Sequence, residues 1–124
     1  MITRHEGADA PPPAGPYSPG IQIGNLLFVA GQGPFTADGS RAGESFAEQV
    51  RITMGNIEKI AQAAGTSLEH AVRMGGYLRN MDDFAEYNEV VAEFLTEPYP
   101  ARTTIQADLP GFDIEIDMVI GIPE

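Results

Sequence analysis

Residues 99–117 read YPARTTIQADLPGFDIEID. Pro100 closes whatever precedes it, and Ala101–Ala107 is a β-rich run with Arg102 at its mouth. Leu109-Pro110-Gly111 interrupts the chain. Asp113, Glu115 and Asp117 then alternate with Ile114, Ile116 and Met118. A period of two places alternate side chains on opposite sheet faces. The spacing predicts two strands, about Ala101–Ala107 and Asp113–Ile122, the second carrying a carboxylate row on one face. Towards Ile122 that strand turns apolar on both faces, so Glu115 or Asp117 lies near buried territory.

Upstream, MDDFAEYNEVVAEF predicts a helix with the apolar stripe Phe84, Tyr87, Val91, Phe94 and Leu95, stopped by Pro98 and Pro100. Asp82 or Asp83 is its expected cap, with Asp83 and Glu86 at capping-box spacing. VRMGGYLRN alternates, with Val72, Met74 and Leu78 on one face and Arg73, Tyr77 and Arg79 on the other. Ser45 and Glu48 open a long helix along Phe46, Val50, Met54, Ile57, Ile60, Ala61 and Ala64, which Gly65 ends. TSLEHA adds a short helical turn. GIQIGNLLFVAGQ is two short strands about Gly24-Asn25, and Leu26–Ala30 is apolar on both faces, as in a strand covered on both sides. Residues 1–15, rich in proline and small residues, read as an extended or poorly ordered arm.

The order is ββ-α-β-α-ββ in a single domain over 1–124, an α+β class with a mixed sheet and two helices on one face. The second sheet face is apolar too, and no element remains to cover it. Another copy of the chain is the simplest cover.

Composition narrows the chemistry. The formal net charge is −11, with six arginines and Lys59 as the basic groups. A whole-chain field of that sign opposes nucleic-acid binding, which needs cations to displace phosphate counterions. There is no cysteine, hence no disulfide, thiolate nucleophile or thiolate metal site. His5 and His70 lack metal-ligand spacing. No metal and no cofactor is expected. No long apolar run spans a membrane, and the N-terminus lacks a signal-peptide core, so a cytoplasmic location is expected. No phosphate loop, nucleophile elbow or HExxH is present.

Four features remain. Arg102 offers a planar fork that matches a carboxylate, either a protein Asp or Glu or a small carboxylate substrate. Asn88 interrupts an apolar stripe, so its amide meets either a neighbouring loop or a ligand. Glu115 or Asp117, near buried territory, would be a partly desolvated carboxylate suited to proton transfer. Gly31, after a buried strand, lets backbone approach a ligand closely.

AGPYSPG, LLFVAGQGP, the helix ending in AAG, MDDFAEYNEVVAEF, YPARTTIQADLP and DIEID, in this order, resemble the RidA/YjgF/UK114 family of reactive-intermediate deaminases, some labelled L-PSP endoribonucleases. The likeness runs from about Ala14 to the C-terminus. It implies a chorismate-mutase-like fold and a homotrimer with clefts between subunits. It implies that Arg102 holds the substrate carboxylate, and that Glu115, with a backbone carbonyl near the P-A-R segment, positions a water. Tyr17, Gly31 and Asn88 match other cleft positions. Ala30 stands where the family often has serine, and Thr104 where it often has cysteine. The implied reaction is hydrolysis of 2-aminoacrylate-type enamines, as 2-imino acids, to 2-oxo acids and ammonia. Arginine and carboxylate then mark two ends of one small pocket. The alternatives are a trimeric, non-catalytic small-carboxylate-binding regulator and an endoribonuclease, the latter opposed by charge and by the lack of a histidine pair.

Overall fold

Eight regular elements follow from the local sequence, and the computed structural model describes all residues 1–124. In chain order they are β1 (Ile2–His5), β2 (Gly20–Ile23), β3 (Leu26–Gln32), α1 (Phe46–Ala63), β4 (Ala71–Leu78), α2 (Phe84–Val91), β5 (Ala101–Gln106) and β6 (Ile114–Gly121). Single 3-10 turns at Leu68–His70 and Met81–Asp83 precede β4 and α2. The strands make one mixed sheet in the order β1-β2-β3-β6-β4-β5, in which only β4 and β5 pair in parallel. The two helices share one face. Val50, Met54, Ile57 and Ile60 of α1 pack with Leu27, Val29, Met74, Leu78, Ile116, Met118 and Ile120 from the sheet, all buried. The expected α+β architecture is present, with one further strand, β1, ahead of the expected ββ-α-β-α-ββ order.

Local physics explains the boundaries. The Ser45 hydroxyl accepts from the Glu48 amide at 3.1 Å, which satisfies one orphan donor of α1. Gly65, at φ +79°, turns the chain out of the helix in a conformation that side chains resist. Gly24, at φ +58°, does the same in the β2–β3 turn.

Three expectations change. The arm is not wholly irregular, because Ile2–His5 pairs antiparallel with β2 as an edge strand. Beyond it Gly7 lies flat on α1, where an added Cβ would stand 2.9 Å from the Ile60 amide nitrogen. Asp83 makes no capping bond. The 3-10 turn ahead of α2 already holds it at ψ 3°, outside the extended geometry an N-cap needs, and Asn80 caps that turn instead, its side chain accepting from the Asp82 amide at 2.9 Å. Val72 is half-exposed rather than in line with Met74, because the β4–β6 register slips between Ala71 and Arg73 and Ala71 takes the inward place. The second face of β3 is left without cover inside the chain, as the count of elements predicts. Leu27 and Val29 are buried, while Phe28 on the opposite face remains 44 % exposed.

Candidate active site

Arg102 lies on the sheet edge. It pairs in register with the buried Met74, so its side chain emerges on the helix side of β5. The guanidinium rests against two rings of α2, 5.6 Å from the Phe84 centroid and 5.0 Å from that of Tyr87. The ion pairs of the chain use Arg4, Arg51, Arg79 and His70, never Arg102. A cation in so acidic a molecule is thus left without a carboxylate. It borders a cavity of about 320 Å³ walled by Met74, Val91, Leu95, Tyr99 and Pro100. Asn88 is half-buried on the same wall, and its amide meets no neighbouring loop; none of the chain's side-chain hydrogen bonds engages it. The Thr104 hydroxyl points the same way as Arg102 and is buried without a hydrogen-bond partner.

Glu115 lies on the other sheet face, half-buried and opposite Tyr77. A bulge in β3 sets Ala30 and Gly31 beside it, with the Ala30 amide bonded to the Pro19 carbonyl at 2.9 Å instead of to the ladder. Gly31 has no room for a side chain, since a Cβ there would stand 2.6 Å from Glu115 Oε2. Burial, and then the charge of Asp117, push the Glu115 carboxyl up from its ordinary value, and no hydrogen bond opposes them. Asp117 itself is engaged, accepting from the Tyr77 hydroxyl at 2.8 Å and from the Gly75 amide at 3.1 Å. Gly31 and Glu115 open into a second cavity, about 310 Å³, with Tyr17, the Phe35–Phe112 edge-to-face pair and Pro11–Pro13 around it. The Tyr17 hydroxyl accepts from the Ala14 amide at 3.0 Å, which steadies that rim.

The chain therefore carries two half-sites. Arg102, Asn88 and Thr104 gather on the helix side at β5, and Tyr17, Gly31 and Glu115 gather on the open side at β3 and β6. A single pocket holding both ends is not formed within one chain. Sequence reading missed the aromatic pair Phe35–Phe112 and the two rings beneath Arg102, which look like ordinary core at helical or strand spacing. The legible signal was Gly75-Gly76 in mid-strand, where glycine weakens a strand unless something needs the space. No group of three His, Asp or Glu side chains is close enough to hold a metal ion. No helix is long and apolar enough to cross a membrane.

Known proteins match this arrangement nearly end to end. The family model described as Endoribonuclease L-PSP matches residues 7–122. A RutC family protein of Pyrococcus horikoshii is 40% identical over 111 residues, covering 89% of this chain and 88% of its own length. A protein of Dermatophagoides farinae named 2-iminobutanoate/2-iminopropanoate deaminase is 31% identical over 116 residues, 91% of each chain. The crystal structure of RidA from an Antarctic Psychrobacter superposes with a TM-score of 0.90 at 34% identity, covering 97% of this chain and 99% of that one. With the family model spanning almost the whole chain and the same helices-on-one-face sheet in the solved relative, this chain belongs to the RidA/YjgF (L-PSP) family.

Proposed function

We propose that the protein hydrolyses 2-imino acids, formed from 2-aminoacrylate-type enamines, to 2-oxo acids and ammonia. The observation that carries this reading is the pair of unengaged charges, Arg102 with no ion pair and Glu115 with no hydrogen bond, each at a cavity. The name of the Dermatophagoides relative supports it.

The chemistry asks for little. An imine carbon is already electrophilic, so the carboxylate must be held and one water aimed. Arg102 takes the carboxylate through charge-assisted, two-pronged hydrogen bonds. Asn88, with its amide free, faces the same ligand. Glu115 accepts a proton from water as the oxygen bonds to the imine carbon, with the Thr104 backbone carbonyl as a second acceptor. With the imine nitrogen protonated at the start, this gives the neutral carbinolamine; Glu115 returns its proton to the nitrogen, and as the C–N bond breaks and ammonia leaves, the hydroxyl oxygen forms the C=O bond of the 2-oxo acid and gives its proton back to Glu115. A carboxyl pKa raised by burial suits a group that takes and returns a proton.

Because the two half-sites of one chain point apart, the reaction centre is composite. Arg102 of one copy meets Glu115 of the next, and copies associate as a homotrimer through the uncovered sheet face. Ala30 favours a second reading, a small-carboxylate-binding regulator, because no hydroxyl stands beside Glu115 at that position. One experiment separates the two. Imines are generated from amino acids by an oxidase and trapped with semicarbazide. An enzyme diverts imine from the trap to 2-oxo acid, whereas a stoichiometric binder leaves the final trap yield unchanged.

A further inference from the structure

Two adjacent glycines interrupt β4, and each clears one side of the sheet. A Cβ on Gly75 would strike Asp117 and the Tyr77 hydroxyl on the open face. A Cβ on Gly76 would overlap the Tyr87 hydroxyl on the helix face. Tyr87 belongs to α2, is 0 % exposed, and reaches down until its phenol lies over the strand. Its hydroxyl has no hydrogen-bond partner, nor has that of Thr104 nearby. For packing alone this is a poor solution. Phenylalanine would fill the space without an orphan polar group, and a larger residue at 76 would strengthen the strand. The ring itself has a second neighbour. The Arg102 guanidinium stands 5.0 Å from the Tyr87 centroid and 5.6 Å from that of Phe84, and the two rings are 6.4 Å apart. Burial pushes the phenol pKa up, while the Thr104 hydroxyl and the Arg102 charge, both close by, pull against that shift.

We infer that Tyr87 is the positioning residue for Arg102, presenting its guanidinium to the substrate carboxylate, and that Gly76 is glycine to admit it. This rests on the carboxylate-clamp reading above. Arg102 has no acidic partner to fix its rotamer, so aromatic faces do so. Ring quadrupoles attract the cation yet leave its N–H fork free, which a protein carboxylate would occupy. Without the rings the fork wanders and the site is less preorganised.

The test uses two readouts on the intact oligomer, KM and kcat for imine hydrolysis and the Kd of the product analogue 2-oxobutanoate by calorimetry. Tyr87→Leu should raise KM and Kd roughly 3- to 30-fold, the range expected for losing a cation–ring contact, with kcat within about twofold. Tyr87→Phe, which folds more readily, keeps the ring and should stay within about threefold in both. Gly76→Ala, which displaces the phenol, should follow Tyr87→Leu. In the Arg102→Ala background Tyr87→Leu should add nothing, because Tyr87 acts through Arg102. If Arg102→Ala weakens binding but Tyr87→Leu and Gly76→Ala do not, or if the effects multiply in the double variant, Tyr87 is core packing only and the inference falls while the clamp stands. If Arg102→Ala leaves KM and Kd unchanged, the clamp itself falls, and the inference with it.

Discussion

At the scale of single residues the contest is between solvation and function. Glu115 is held above its ordinary value of 4.5 by burial first and by Asp117 second. The folded chain then binds that proton more readily than the unfolded one. The penalty is absent below the ordinary value, and stability falls as pH rises through the raised one. Glu115→Gln should therefore raise Tm at about pH 8 and leave it nearly unchanged at about pH 3.5, while turnover falls more than binding. Asp117→Asn removes one source of the upward push, so the acid limb of the pH–rate profile should move to lower pH. A limb that stays in place would detach Glu115 from proton transfer. Arg102→Ala should lose a charge-assisted pair of about 1.5–3 kcal/mol, roughly 10- to 150-fold in kcat/KM. Lysine there should rescue only in part, since an ammonium lacks the planar fork. Equal kcat/KM in all three forms would show that Arg102 touches no substrate. Arg102 was legible as a lone cation at the mouth of a strand, whereas Glu115 was one of three alternating carboxylates and was singled out only by the family resemblance. Tyr87 was not, because a tyrosine on an apolar helical stripe looks the same whether its ring serves packing or a neighbouring cation.

At the scale of elements the N-terminal segment behaves differently from its composition. Prolines and small residues suggest a dispensable arm, yet Ile2–His5 closes the sheet edge and Gly7 seats on α1. Pro11–Pro13 then wall the Glu115 cavity. Deleting residues 1–12 should lower Tm by about 3–8 °C, the shift expected for roughly 1–2 kcal/mol in a domain of this size, and should raise KM. Unchanged melting and kinetics would return the segment to a passive tail. The helices were readable because their stripes, and the Ser45 cap of α1, are local. The β4 register slip was not, since a bulge is decided by the strand it pairs with. The same holds for the cap of α2, which depends on a 3-10 turn that sequence spacing does not announce.

At the scale of the whole molecule the open sheet face dominates. Phe28 and Val72, on β3 and β4, and Ile105, on β5, leave 44 to 50 % of their surface in solvent in the single chain. A self-associating face of this kind should make a trimer by sedimentation at micromolar concentration, and Phe28→Asp should dissociate it. Dissociation should abolish imine hydrolysis although Arg102 and Glu115 are untouched. A sharper measurement mixes two inactive variants. If each centre takes Arg102 from one copy and Glu115 from the next, unfolding and refolding Arg102→Ala together with Glu115→Gln should restore about a quarter of the centres, the statistical share of correct neighbours in a cyclic ring. No recovery from a refolded mixed trimer would place both groups in one chain's site.

The amino-acid sequence by itself determined the two helices, most of the strands and the helical face of the core, because periodicity is a local property. The family resemblance, not the local pattern, joined Arg102 with Glu115 and implied one pocket for both. Only the tertiary structure decided that they stand on opposite faces of the sheet. Alternation says which residues of a strand share a face, but not which face receives the helices. That choice is made by burial over the whole chain. It sends Met74 and Arg102 towards α2, leaves Glu115 on the uncovered side, and sets the two residues at separate cavities.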